Sequence, residues 1–373
     1  MSADSHLMIA LNASWSLHPA AVCKLCLDVE AWAGPGPRGV AARREEARGL
    51  GIPADQLDTA RAVAARASAL AARELEGAAA VGARILTVED GEYPRELRDL
   101  QLPPPVLYIA GKIPTGPAVA IVGSRRASPY GREAAALFAR GLAQAGVTVV
   151  SGFARGIDAA AHRAALAPAS GRTVAVLGCG TDIRYPRGHG RLREAIVGGG
   201  AVLTEFSLGA QPRRWSFPIR NRVIAALSSG TLVIQAGRRS GSLITAHHAL
   251  ELGREVWAVP SPIFEENSPG PNNLIRDGAG LVQHPRDILE FLKPPRKLPL
   301  DLAPPVARPL RDLPAGLGGK ILAHLPAGEG RSPDALAEAT GLPIHRLLAE
   351  LLDLELGGWL RRGPGPTYRR VPE

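Results

Sequence analysis

Three short runs hold residues suited to gripping a phosphate: Gly123-Ser124-Arg125, Ser151-Gly152-Phe153-Ala154-Arg155-Gly156 and Ser240-Gly241-Ser242, the last preceded by Arg239. Small residues let a ligand come close to the main chain. Where such a run opens a helix, its exposed N–H groups and the positive end of the helix dipole attract anionic oxygen. The arginine beside each run adds a planar fork that bonds two oxygens at once. One such turn reads equally as a tight strand-to-helix connection; three, each with an arginine, point to a polyanion. A fourth run, Arg213-Arg214-Trp215-Ser216-Phe217-Pro218-Ile219-Arg220-Asn221-Arg222, interleaves arginines with two aromatics. Aromatic faces stack on unpaired bases while guanidinium groups follow the backbone. Phe217 reads as a stacking residue because its neighbours are charged, and Trp215 reads equally as core or surface.

Other chemistries find little support. A full G-x-G-x-x-G is missing after the first buried strand, and so is a Walker pattern, which counts against dinucleotide and P-loop enzymes. Asp158 and His162 stand four apart and share a helix face. They suit an acid/base pair, but an interior or helix-terminal bond that fixes the Gly156 turn is the simpler reading. His189 and His247-His248 lack a third ligand at regular spacing, so no metal site is expected. Cys179 has no activating base, and Cys23 and Cys26 form one C-x-x-C without a second pair. All three read as packing residues. No catalytic residue and no cofactor are expected.

The four runs need elements to hold them. From about residue 85, short apolar segments alternate with helical ones. Ile85–Val88 and Val106–Ile109 read as edge strands. Ala118–Val122, Val147–Val150, Thr173–Leu177, Ala201–Thr204, Thr231–Ile234 and Glu255–Val259 follow as further strands. Helices are predicted from about Tyr130 to Gln144, from about Gly156, from near Pro218 and from the Ser240 turn. This alternation implies right-handed crossovers and a doubly wound parallel α/β sheet, with its turns gathered at the carboxyl edge.

Residues 1–80 read as helical, most clearly from Asp58 to Glu76, where neither Gly nor Pro interrupts. Gly34-Pro35-Gly36-Pro37 reads as an interhelical loop, or alternatively as a helix-hairpin-helix turn. Residues 291–315 hold seven prolines and form a linker. In residues 316–373, Ser332 caps a helix opened by Pro333, Gly341 ends it, and a second helix runs from Pro343 to Leu356. A short hairpin follows, which is the outline of a winged helix. The expected domains are thus 1–80, 81–290, the linker 291–315, and 316–373.

Charge sharpens the picture. The chain has 373 residues and a net charge of +9. Residues 118–290 carry +8 and 291–311 carry +4, whereas 1–117 carry −2 and 312–373 carry −1. Residues 206–250 contain six arginines and no acid, unlike the mixed pattern of a salt-bridged surface. No charge-free apolar run reaches membrane-spanning length, and the N-terminus lacks a secretion signal. Three cysteines cannot build a disulfide framework. A cytoplasmic protein without a membrane role is expected.

The order of motifs over roughly residues 83–285 resembles the DprA/Smf DNA-processing family. Val122-Gly123-Ser124-Arg125 with Tyr130-Gly131 begins the likeness, followed by Ser151-Gly152, Gly156-Ile157-Asp158 with His162, and Gly178 to Tyr185-Pro186. Phe217-Pro218 with Arg220-Asn221-Arg222, Ser240 to Ala246, Gly253-Arg254, Val259-Pro260 and Asn273-Leu274-Ile275 continue it. The resemblance implies an extended Rossmann-like domain that binds single-stranded DNA without cutting it. It also implies a homodimer, and loading of the RecA recombinase during natural transformation. By motif match, Gly123, Ser124, Arg125, Asn221, Ser240, Gly241 and Ser242 belong to a phosphate pocket, with Arg214 and Phe217 a basic residue and a base-stacking aromatic beside it. Arg155, Arg220 and Arg222 join the expected DNA surface by their charge. Two positions depart from the family pattern: Gln235 replaces a common acid, and Ser261 a common Gly. A different class, a nucleotide phosphoribohydrolase on a related fold, would need a glutamate that 240–246 lack. A transcription regulator acting through residues 316–373 fits poorly with their net −1 charge.

Overall fold

The computed structural model describes residues 2–14, 17–27, 52–292, 316–325, 330–362 and 367–370. Nine strands form one sheet: β1 (Arg84–Thr87), β2 (Val106–Gly111), β3 (Ala118–Val122), β4 (Thr148–Ser151), β5 (Thr173–Val176), β6 (Gly200–Thr204), β7 (Gly230–Val233), β8 (Glu255–Ala258) and β9 (Gly280–Leu281). Their order is β1-β2-β6-β5-β4-β3-β7-β8-β9. The strands from β3 to β9 pair in parallel, while β2 runs antiparallel to β6 and β1 to β2. Helices cover both faces, so the central strands are nearly continuous apolar runs rather than alternating ones. The eight anticipated strands stand within two residues of their expected ends. β9 and the helices Gly190–Gly199, Pro269–Arg276 and Pro285–Leu292 are additional.

Strand order reverses between β3 and β7. From β3 the chain winds outward through β4, β5 and β6, then returns to the other side of β3 with β7 and β8. At such a reversal the connections leave in opposite directions and a crevice opens beyond the carboxyl ends. The turns after β3 and after β7 flank it.

The helices Ala3–Ala13, Pro19–Leu27, Ala54–Ala64 and Ala67–Ala80 precede the sheet. The uninterrupted helix expected over Asp58–Glu76 is in fact two, broken at Ala65-Arg66. The break lets Ala60 and Ala71 both enter the core that holds Leu7 and Leu11. Absence of Gly and Pro permits a long helix but does not enforce one. The expected boundary near residue 80 does not interrupt packing. Glu74 accepts from the Tyr108 hydroxyl at 2.8 Å and from Leu208 N at 2.9 Å, and Met1–Pro294 form one compact unit. The Gly34–Pro37 turn, and the linker from 293 onward, lie outside the described residues.

The second unit contains the helices Leu317–Ala323, Pro333–Thr340 and Ile344–Leu356. Its small sheet has the order β10 (Gly330–Arg331), β12 (Tyr368–Arg370), β11 (Leu360–Arg362). Ser332 Oγ accepts from Ala335 N at 3.3 Å, and Gly341 closes the first of the paired helices at φ +69°. Leu347, Leu351 and Leu354 face the core, whereas Ile344, Leu348, Leu352 and Leu356 are exposed.

Asp158 and His162 share the helix Ile157–Ala165 but bond to different partners. Asp158 accepts from Ala154 N at 3.2 Å and so closes the turn at Gly156. His162 Nδ1 meets Thr173 Oγ1 at 2.7 Å. That hydroxyl donates to Val149 O at 2.6 Å, so it must accept from the Nδ1–H. Burial pushes His162 down to about 3 and Asp158 up to about 6. Below pH 6.5 unfolded His162 gains a proton that the folded residue refuses, so its contribution is full above 6.5 and lost toward pH 3. Asp158 acts oppositely: the folded carboxyl protonates near 6 and the unfolded one near 3.8, so its contribution falls as pH rises through 6. His162→Gln should destabilise at pH 7, and urea titrations should show that gap narrowing by about 3 kcal/mol at pH 4. A constant gap would rule out a buried neutral imidazole.

Candidate nucleic-acid interface

An open pocket of about 650 Å³ fills the crevice between the β3 and β7 turns. Gly123, Ser124, Arg125 and Arg126 form one wall, and residues 237–242 face them. Asp158, Phe217, Arg220 and Asn221 line the rest, with Glu266 and Asn267 at the rim.

The β3 turn is pinned from several sides. Ser124 N donates to Gln235 O at 2.7 Å, and Ser124 O accepts from Ile157 N at 3.2 Å. A Cβ on Gly123 would sit 2.7 Å from Ile157 Cγ1. Gly156 adopts φ +82°, and a Cβ there would lie 2.3 Å from Ser124 O, so both positions need glycine. Gln235 is fully buried behind the turn. Its Oε1 accepts from Ser128 N at 3.0 Å, while its Nε2 donates to Ser128 Oγ at 2.8 Å and to Glu265 Oε2 at 2.7 Å. An ionised acid in its place would oppose Glu265, so Gln235 suits this chain's own partner. Ser261, the other departure, is also buried, and its N–H donates to Asn272 Oδ1 at 3.0 Å.

On the opposite wall, Ser240 Oγ caps the helix Gly241–Glu251 by accepting from Ser242 N. Asn221 Nδ2 donates to Gly241 O at 3.0 Å and fixes that helix start to the helix Ser216–Ala226. Exposed Arg125 lies with its guanidinium carbon 4.6 Å from the centre of the Phe217 ring. Tyr185 supports the ring at 5.7 Å. The cation and the aromatic face thus form one surface that can hold a phosphate and a base together.

Of the residues expected to touch DNA, Gly123, Ser124, Arg125, Phe217, Arg220, Asn221, Ser240, Gly241 and Ser242 line this pocket. Arg155 and Arg214 are exposed but off its wall. Arg220 differs from the expectation of a phosphate contact. It is 4% exposed, and its guanidinium donates to Gly152 O at 2.6 Å and to Val176 O. Arg222 leaves the site altogether: it pairs with Glu205 and donates to Leu102 O at 2.7 Å. A helix turns about 100° per residue, so residues two apart face nearly opposite ways. The expected start near Pro218 is also corrected: the helix begins at Ser216. Sequence reasoning missed Arg126, Glu266 and Asn267. Arg126 meets Glu266 at 3.3 Å, and Asn267 Nδ2 donates to Arg126 O at 2.9 Å.

A family model described as DNA recombination-mediator protein A matches residues 84–293, and one for the DprA winged helix domain matches 303–366. This chain belongs to the DprA/Smf family. Protein Smf of Escherichia coli K12 is 41% identical over 289 residues, covering 74% of this chain and 75% of that protein. The solved DprA of Streptococcus pneumoniae superposes with a TM-score of 0.64 at 32% identity, covering 77% of this chain and 97% of that one. The DprA of Helicobacter pylori, solved to describe its single-stranded DNA binding mode, gives 0.51 at 30% identity over 57% of this chain and 97% of that one. The DprA/Smf match spans both pocket walls, from Gly123 to Asn267, and its winged-helix match agrees with the second unit. Among the described residues no helix is long and apolar enough to cross a membrane.

Proposed function

We propose that this chain binds single-stranded DNA at the β3–β7 crevice without cutting it, protects the strand, and loads RecA onto it during natural transformation. The observation that carries this reading is Arg125 lying over Phe217 at the mouth of the pocket. Phosphate oxygen binds the edge of the guanidinium, and an unpaired base stacks on the plane of the Arg125–Phe217 pair; duplex DNA offers no free base face. The single-strand binding described for the Helicobacter pylori relative supports it. Two protomers, acting in the cytoplasm, would extend the groove. Residues 312–373, net −1 and with Leu348 and Leu352 exposed, suit protein contact better than a phosphate backbone.

The pocket is poorly equipped for phosphoribohydrolysis. Asp158 is tied to Ala154 N and Glu266 to Arg126, and Glu251 lies at the far end of its helix against His247 and His248. Filter binding of a labelled single strand, with duplex as competitor over a salt series, tests the reading. Affinity should fall linearly with salt on a log–log scale, and duplex should compete weakly. Salt-independent binding, or equal competition by duplex, would sink it. RecA-driven strand exchange, run with and without the protein, tests the mediator role.

A further inference from the structure

A second cavity, of about 470 Å³, opens at the seam between the N-terminal helices and the sheet. Its wall holds Trp215, which remains 45% exposed. The indole meets Phe206 edge-on at 6.0 Å and His18 at 6.1 Å, so two neighbours hold it while part of it stays open. Leu17 and Val22 of the N-terminal segment add apolar surface. A part-apolar, part-polar cavity of this size suits one planar heterocycle.

Trp215 and Phe217 are two residues apart, yet they line different cavities. Between them Ser216 is 1% exposed, and its hydroxyl donates to Gly178 O at 2.6 Å. A pinned segment therefore presents one aromatic to each side. Charge favours a strand that passes between them. Arg213 lines the seam cavity, and Arg214 is exposed beside it. Glu205 is the one acid on the described wall, and Arg222 pairs with it. The ion pair that takes Arg222 out of the phosphate pocket thus removes the only repulsion here.

We infer that the seam cavity takes a second unpaired nucleobase, stacked on Trp215, from the strand whose phosphate lies at Arg125. This rests on the single-strand reading above and deepens it: the N-terminal helices would complete a base site.

The test uses the full chain and the shortest oligothymidylate that binds with full affinity, with one base removed at each position in turn. The parent protein should show two positions where a missing base weakens binding about 5- to 150-fold, the range for one stacked base. Trp215→Ala should lose sensitivity at one position and keep it at the other, and Trp215→Tyr should keep both. If Trp215→Ala binds every oligonucleotide like the parent while Arg125→Ala does not, the inference falls and the single-strand reading stands. If Arg125→Ala also binds like the parent, the reading itself falls. A uniform loss at all positions would assign Trp215 a structural role and overturn the inference. So would one sensitive position in the parent, which would leave the cavity to a free nucleotide.

Discussion

Arg125→Ala should weaken binding of a single-stranded oligonucleotide by about 10- to 150-fold, measured by fluorescence anisotropy at fixed salt. A hydrogen bond to a charged phosphate is worth about 1.5–3 kcal/mol. The guanidinium carbon lies 4.6 Å from the Phe217 ring centre before any strand arrives, so only the phosphate contact enters the affinity. Arg125→Lys should fall between parent and Ala, because an ammonium keeps the charge but loses the planar fork. The log–log salt slope of Arg125→Ala should be shallower by about 0.7, the value for one fewer phosphate neutralised on a single strand. Thermal melts should match the parent, since Arg125 is exposed. An affinity within twofold of the parent would remove Arg125 from the interface.

Arg220→Ala should instead destabilise the fold by about 2–6 kcal/mol, because two buried carbonyls each lose their donor at about 1–3 kcal/mol. Arg220 is 4% exposed and bonds Gly152 O and Val176 O, carbonyls just beyond β4 and at the end of β5. Without the guanidinium those carbonyls lose their donor, and buried Asp158 loses the cation that most favours its ionised form. Burial holds Arg220 down to about 10, still charged at neutral pH. Urea unfolding should show the loss, and adding Asp158→Asn to Arg220→Met should recover part of it. Full stability in Arg220→Ala would mean that the residue serves the ligand and not the scaffold.

The sheet was legible because each central strand is a short apolar run between glycine or proline turns. β9 was not, since two residues carry no period and only their pairing with Trp257 and Ala258 defines them. In the site, the β3 turn and Phe217 stood out by residue type. Arg220 and Arg222 did not separate, because their fates follow from helical phase, and that phase depends on where the helix begins. Glu266 and Asn267 were invisible for another reason. Their bonds with Arg126 span 140 and 141 residues and exist only once the loop before Pro269 folds back over the β3 turn. The split at Ala65-Arg66 came from tertiary packing on the helix Ala3–Ala13, which overrode a favourable local composition.

The exposed cations that line the phosphate pocket are Arg125, Arg126, Arg238 and Arg239, and no lysine occurs between Lys112 and Lys293. Guanidinium groups stay protonated at every physiological pH and lie outside the reach of lysine acetylation. The positive charge at the mouth is therefore constant across physiological pH. On the proposed reading, a strand held there is handed over by displacement, by ions or by a partner with a stronger hold on the same phosphates.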